Sequence, residues 1–166
     1  TVDDLNLDIE TRALQLLALQ QPMAKDLRTI AAVLKIITDI ERMGDYSVDI
    51  AKQGISLSGQ PFPQPRVVSL MAQTVQQMLR DSLDAFVTRD LDKATMAVEK
   101  DNVVDSAYRT LHSEVLQLVQ QQPETAFQGI RLLMVGTYLE RIADHITNIG
   151  ERIFYMETGE LKELHE

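Results

Sequence analysis

Apolar residues recur at intervals of three and four along most of the 166-residue chain, which is the period of a helix that buries one face. No segment alternates strictly between apolar and polar residues, so the pattern predicts no β-strand. Pro22, Pro123 and Gly159 mark interruptions, and the stretch 56–65 holds three of the five prolines and is predicted to be a loop. The pattern predicts helices over about residues 2–20, 23–57, 66–88, 91–121 and 124–157.

The order of these segments repeats. LQLLALQQPMAKDLR leads into ERMGD in the first half, and LHSEVLQLVQQQPETA leads into ERIAD in the second. In each copy a helix is followed by glutamines and a proline, and then by a long helix that carries the acidic motif. The second copy is preceded by an additional helix, 66–88, that the first copy lacks. The sequence therefore predicts an all-α protein of two tandem three-helix bundles, the first of them truncated at its N-terminus.

The predicted organisation has four parts. Residues 1–58 form an incomplete first bundle of two helices, 59–65 a proline-rich linker, 66–158 the second bundle and 159–166 a tail. A pair of helices rarely buries enough apolar surface to be stable alone. We therefore expect residues 2–57 to pack against the second bundle or against another chain, for example in a homodimer.

Two stretches of twelve residues, 99 positions apart, are nearly the same: ERMGDYSVDIAK at 41–52 and ERIADHITNIGE at 140–151. Residues four apart share one face of a helix. Glu41, Asp45 and Asp49 therefore form a first acidic row, and Glu140, Asp144 and Asn148 form the equivalent second row. These two groups are called the first row and the second row below.

At about 100° per residue, the first row continues an apolar stripe on its helix. That stripe consists of Leu27, Ile30, Leu34, Ile37 and Val48. The same angles place Asp39 and Arg42 on the solvent side, and His145 outside the second row in an exposed position. Carboxylates beside a core repel one another and are costly unless a positive charge meets them.

The neighbouring helices carry further inward acids: Asp101 and Asp105 on 91–121, and Asp3 on 2–20. Oxygen ligands that converge from two helices suit a hard or borderline cation such as Mg²⁺, Mn²⁺, iron or Zn²⁺. The alternative is that each row lies at the edge of the apolar stripe of its helix, where the helix becomes exposed to solvent at the end of its bundle. The predicted metal ligands are Asp3, Glu41, Asp45, Asp49, Asp101, Asp105, Glu140, Asp144 and Asn148.

Composition excludes several classes of protein. With 45% hydrophobic and 25% charged residues the chain is typical of soluble globular proteins, and no apolar run approaches the 18 residues of a membrane span. The net charge of −9 disfavours nucleic acid as a partner. The absence of cysteine excludes disulfides and thiolate metal sites and fits a reducing compartment.

Catalytic motifs are missing from the sequence. The Glu-x-x-His of ferritin-like di-iron sites does not occur before any of the three histidines. There is also no phosphate-binding glycine loop, nucleophile elbow or zincin motif. The sequence therefore predicts a protein that is not an enzyme.

The stretches LLALQQPMAKDLR, DIERMGDYSVDIAK and YLERIADHITNIGERI resemble the PhoU family of phosphate-signalling proteins, from about residue 2 to residue 157. The resemblance implies two similar three-helix bundles whose acid-x-x-x-Asp motifs bind metal clusters on the bundle surface. It carries the ligand role over to Glu41, Asp45, Asp49, Asp101, Asp105, Glu140, Asp144 and Asn148, and matches Asp3 to the second acid of a motif. Two positions depart from the family pattern: Asp49 stands where Asn is commoner, and Ala143 where Gly is expected.

The resemblance also implies a function. Such proteins are cytoplasmic, often dimeric, negative regulators of phosphate uptake and of the phosphate-starvation response. Their partners are the ATPase of the phosphate ABC transporter and the sensor histidine kinase, so that contact with the membrane is indirect, through the transporter complex. The metal would be a divalent or trivalent ion of iron, zinc, manganese or magnesium. Two alternatives stay open: a metal-dependent helical-bundle enzyme of phosphatase or oxidase type, and a purely structural helical adaptor.

Overall fold

A computed structural model describes residues 1–58 and 66–164. These residues form α1 (Val2–Gln20), α2 (Ala24–Leu57), α3 (Arg66–Thr88), α4 (Leu91–Glu99), α5 (Asp101–Gln121), a 3-10 helix (Pro123–Thr125) and α6 (Ala126–Thr158). None of the described residues lies in a β-strand, so the all-α prediction is confirmed. The predicted linker 59–65 lies outside the described residues, and the division of the chain into two bundles stays a prediction.

Local sequence explains where several helices begin and end. Thr1 and Asp4 form a reciprocal capping box at the start of α1, and the Asp90 side chain accepts a hydrogen bond from the Lys93 backbone at the start of α4. Gly159 ends α6 with a φ of 82°, a left-handed conformation that glycine adopts without steric cost. The capping residues therefore place most helix ends within a residue or two of the predicted bounds.

The predicted helix 91–121 is wrong, because the chain breaks at Lys100 into α4 and α5. No glycine or proline marks this break in the sequence. It is instead stabilised by tertiary contact, since Lys100 Nζ forms an ion pair with Asp81 of α3. The break makes Asp101 the first residue of α5, where the helix macrodipole favours a carboxylate.

The central helix is α6, which contacts α2, α3, α4 and α5. It presents a small residue at every seventh position, namely Gly129, Gly136, Ala143 and Gly150. A Cβ added to Gly136 would lie only 2.6 Å from Leu111 Cδ2 of α5. The absent side chains thus allow α5 and α4 to approach α6 closely.

Helix α2 runs antiparallel to α6 along most of its length. Residues that come later in α2 contact residues that come earlier in α6. The contacting pairs are Lys25 with Glu157, Asp39 with His145, Tyr46 with Tyr138 and Gln53 with Arg131. Ile36 and Met43 of α2 belong to the same buried cluster as the core residues of α3, α5 and α6. As expected, the first part of the chain therefore packs against the second.

The apolar stripe predicted to face inward on α2 is largely wrong. Of its five residues only Ile37 is buried, whereas Leu27 is 45% and Val48 55% exposed. The buried side of α2 is the one that carries Ala32 and Met43, opposite the first row. Apolar residues occur on both sides of this helix, so the 3.6-residue period alone could not decide which side meets α6.

Helix α1 packs on α2 and buries only Ala13. Its other apolar side chains are mostly exposed, Leu5 by 62% and Leu19 by 76%. Exposed apolar strips of this length are typical of association surfaces. The structure is that of a single chain, and the homodimer stays a prediction.

Candidate metal centre

The second row lies against α5, and there the structure brings four predicted ligands together. Glu140 of α6 has a raised pKa, chiefly because it is partly buried and further because Asp144, Asp105 and Asp101 lie nearby. Asp101 is only 1% exposed and Asp105 is half-buried. Two helices thus converge their acids on one place, as the sequence predicts. These four residues are called the acidic cluster below.

Two arginines lie near the acidic cluster. Arg109 Nη1 lies 3.8 Å from Asp105 Oδ2, which is beyond hydrogen-bond distance. Arg141, which directly follows Glu140, lies over the Tyr46 ring at 5.7 Å from its centroid. The pKa of Glu140 is raised chiefly by its burial and further by the neighbouring carboxylates, although the positive charge of Arg141 acts in the opposite direction.

The first row is arranged differently. Asp49 accepts a hydrogen bond of 2.8 Å from Lys52, and the carboxylate raises the pKa of that lysine. Arg42 lies 3.7 Å from Glu41 and 3.6 Å from Asp45. Cations of α2 itself therefore offset the acids of the first row. The position equivalent to Lys52 in the second motif is an acid, Glu151.

Asp3, the remaining predicted ligand, is exposed in the first turn of α1. Its neighbour Val2 lies 3.7 Å from the place that a Cβ on Gly44 would occupy. The start of α1 is thus near the middle of the first motif. In the second motif the equivalent contact is between α5 and α6.

Asn148 of the second row turns towards α2. Its Nδ2 donates to Asp39 Oδ1 at 3.2 Å, and His145 Nδ1 donates to the same oxygen at 2.8 Å. The predictions that Asp39 faces solvent and that His145 is exposed are therefore wrong, since their side chains are only 15% and 22% exposed. The prediction for Asp39 followed from the wrong inward side of α2, and the prediction for His145 followed from its position outside the second row on α6.

These contacts could have been predicted from the 99-residue repeat. Asp39, Arg42 and Tyr46 correspond to Tyr138, Arg141 and His145 one repeat later. The spacing of three and four is that of residues on one face. Together with Gln53 and Arg131 the pairing residues form a polar seam between α2 and α6, defined here as Asp39, Tyr46, Gln53, Arg131, Tyr138, His145 and Asn148.

The donor chemistry of the acidic cluster suits a hard cation, because all four side chains offer carboxylate oxygens. Within residues 1–58 and 66–164, however, no three histidine, aspartate or glutamate side chains are placed to hold a metal ion as they stand. Ligation would therefore require carboxylates to rotate towards the ion. Asp101, Asp105, Glu140 and Asp144 are the residues that would hold it.

Comparison with known proteins decides the family. A model of the PhoU domain matches residues 1–54 and 68–153, which include both acidic motifs and the helices that precede them. The chain belongs to the PhoU family. The resemblance of the sequence is thereby confirmed.

PhoU relatives resemble the chain over almost its whole length. A phosphate-specific transport system accessory protein PhoU homolog of Clostridium acetobutylicum is 40% identical over 167 residues, which are 99% of this chain and 76% of the relative. A PhoU homolog of Caulobacter vibrioides is 40% identical over 96% of this chain and 70% of the relative.

Solved PhoU structures share the fold. The crystal structure of the phosphate transport system regulatory protein PhoU from Streptococcus pneumoniae matches with a TM-score of 0.90 and 35% identity, over 97% of this chain and 76% of the other. PhoU from Pseudomonas aeruginosa matches with the same TM-score and 30% identity, over 96% of this chain and 77% of the other. Among the helices described for this chain, none has the length and apolarity needed to cross a bilayer.

The acidic cluster of this PhoU chain predicts a specific pH dependence. The folded-state pKa of Glu140 is raised above its ordinary value of 4.5, so ionised Glu140 destabilises the fold. In metal-free protein this cost is absent at low pH and grows as pH rises from about 4.5 through the raised pKa. Glu140→Gln should therefore be more stable than wild type at neutral pH, with the difference shrinking in acid.

Urea denaturation of both proteins across pH 4–8 in the presence of chelator measures this difference. Glu114→Gln, at an exposed position of α5, is the matched control and should show a much smaller pH-dependent difference. A Glu140→Gln variant that is less stable than wild type at pH 7 would show that ionised Glu140 is satisfied by its surroundings.

Proposed function

We propose that this PhoU-family chain is a regulator of phosphate uptake and of phosphate-starvation signalling that works by binding and not by turnover. The observation that carries the proposal is the match of 97% of the chain, at a TM-score of 0.90, to a phosphate transport system regulatory protein. The names of the curated relatives, accessory proteins of phosphate-specific transport, support the same role.

The acidic cluster is proposed to hold one or more metal ions of iron, zinc, manganese or magnesium. The raised pKa of Glu140 supports this, because a bound cation would offset both the burial and the carboxylate repulsion that disfavour its ionised form. The first row, with Asp3 nearby, is a second candidate site. Its acids already have Arg42 and Lys52 beside them, so we expect it to bind cations more weakly.

Bound cations would also favour the binding of partner proteins. The chain has a net charge of −9, which repels acidic surfaces. A divalent ion reverses the charge locally and allows contact with anionic groups. The proposed partners are the ATPase of the phosphate ABC transporter and the sensor histidine kinase, both met in the cytoplasm.

The exposed apolar strip of α1 supports a homodimer as part of the same proposal. Leu5 and Leu19 share one face of this helix with Leu16, and the three side chains are 62%, 76% and 48% exposed, respectively. Sedimentation of the purified chain should show a species of twice the monomer mass. Leu16→Glu, in the middle of this strip, should shift it towards the monomer without loss of helix content.

A second candidate, a helical adaptor without metal, is favoured by one observation: in the described parts of the chain no three acids or histidines are placed to hold an ion as they stand. An enzyme of phosphatase or oxidase type has less support, because the sequence has no Glu-x-x-His motif. A phosphatase assay on metal-loaded protein separates this last alternative from the regulator.

The proposed function is tested in a host strain that lacks its own PhoU and carries a phosphate-starvation reporter. Wild-type protein should restore repression in high phosphate. The double variant Glu140→Gln, Asp144→Asn should fail to repress, because it removes two donors of the acidic cluster while keeping similar side-chain shapes.

The matched control replaces two exposed acids elsewhere, Asp92→Asn and Glu114→Gln, and should repress fully. Circular dichroism of the purified proteins checks that all three keep their helix content. Full repression by a folded Glu140→Gln, Asp144→Asn variant would favour the adaptor without metal.

A further inference from the structure

Asp39 is the acceptor shared by two side chains of the second motif. Asn148 Nδ2 and His145 Nδ1 both donate to its Oδ1, at 3.2 Å and 2.8 Å. The Asp39 side chain is only 15% exposed, and it belongs to α2, whereas Asn148 and His145 belong to α6. A residue of the first repeat therefore fixes two residues of the second.

The hydrogen bond decides which end of the Asn148 amide faces α2. A carboxylate can only accept from an asparagine nitrogen, so Nδ2 is directed at Asp39 and Oδ1 is directed away from it. Asn148 lies one helical turn beyond Asp144 and two turns beyond Glu140 on the same face of α6, and it contacts Asp39 of α2. Its Oδ1 is thus the amide atom that Asp39 does not engage and that can join the row formed by Glu140 and Asp144.

Only the amide oxygen of asparagine ligates a hard cation. An unrestrained amide could present either end, and half of its orientations would offer nitrogen. The bond to Asp39 removes this ambiguity, and the bond from His145 holds the Asp39 carboxylate in the polar seam. The Tyr46 ring, 5.8 Å from the His145 ring, packs beside the same group.

We infer that Asp39 is a positioning residue for the proposed metal site: it orients Asn148 so that Oδ1 joins the donors of the second row. The inference rests on the proposed function, because it requires a cation at the acidic cluster. It adds that the site depends on contact between the two repeats. Separation of α2 from α6 would release Asn148 and weaken binding.

The test is calorimetric titration of Mn²⁺ into chelator-treated protein. Asp39→Ala should weaken binding roughly 10- to 100-fold, the range typical of groups that orient metal ligands. Asp39→Asn should retain most of the affinity, because its side-chain oxygen can still accept from Asn148 Nδ2. The control Asp26→Ala removes one exposed acid from the same helix and should leave affinity nearly unchanged.

A double-mutant cycle separates positioning from simple loss of charge. Asn148→Ala and the pair Asp39→Ala, Asn148→Ala should bind Mn²⁺ equally, because Asp39 acts only through Asn148. Losses that add in the pair, or an Asp39→Ala affinity equal to that of Asp26→Ala, would overturn the inference while leaving the proposed function in place.

Wild-type protein that binds no Mn²⁺ would overturn both the metal site and the inference. Circular dichroism without metal checks the fold of each variant. If Asp39→Ala does not fold, Asp39→Asn and Asn148→Ala decide the question: the inference requires the first to bind like wild type and the second to bind at least tenfold more weakly.

Discussion

Gly136→Ala is expected to destabilise the protein although alanine favours helices. The new Cβ would lie 2.6 Å from Leu111 Cδ2 and 3.0 Å from the Tyr108 ring. Both neighbours would have to shift, although Leu111 is fully buried and the Tyr108 hydroxyl lies 2.7 Å from Thr137 Oγ1. Overpacking of this kind costs about 1–3 kcal/mol, more than the gain of up to about 1 kcal/mol from replacing a helical glycine.

Gly54→Ala is the matched control in α2. A Cβ there meets nothing within 4 Å, so the variant should gain about 0.5–1 kcal/mol from lower backbone entropy in the unfolded chain. Urea denaturation measures the free energy of unfolding of both variants. Equal stabilisation of the two would show that α5 and α6 are further apart at Gly136 than the structure has them.

Removal of two donors from the acidic cluster should abolish metal-dependent stabilisation. Mn²⁺ at 100 times its dissociation constant adds about 2.7 kcal/mol to the stability of a protein that binds it only when folded. Wild type should show a stabilisation of this order in thermal denaturation. Glu140→Gln, Asp144→Asn should show almost none, because two carboxylate donors are lost.

In the absence of metal, the double variant should no longer be the less stable of the two proteins. The double variant lacks the partly buried charge and the carboxylate repulsion that together raise the pKa of Glu140, so it should be at least as stable as wild type. The equivalent change in the first row, Glu41→Gln with Asp45→Asn, should reduce the metal effect less, because Arg42 already lies beside both acids. A double variant of the second row that is clearly less stable than wild type in chelator would mean that these acids form structural ion pairs.

The helices could be predicted from sequence because the period of the apolar residues and the positions of proline and glycine indicate the same helix ends. The bounds of α1, α2, α3 and α6 lie within two residues of those predicted. The break at Lys100 could not be predicted, because what stabilises it is an ion pair with Asp81, almost a full helix away in sequence. A contact with a residue of another helix cannot be recognised from the residues that surround the break.

The candidate site was predictable in part. The repeat and the spacing of four identify Glu140 and Asp144, and helical phase on the preceding helix identifies Asp101 and Asp105, which the structure places beside them. Asp39 was assigned to solvent, because α2 is apolar on two sides and its packing side depends on α6. The role of all these residues as metal ligands stays a prediction.

The most direct test is X-ray diffraction from crystals grown with Mn²⁺, measured where manganese scatters anomalously. The account predicts an anomalous peak at the acidic cluster, within about 2.0–2.6 Å of carboxylate oxygens of Glu140 and Asp144, the range for oxygen ligands of hard cations. Asn148 Oδ1, and not Nδ2, should be the amide atom on the side of the peak. A well-ordered acidic cluster with no peak, in crystals that contain Mn²⁺, would contradict the proposal that these residues bind metal.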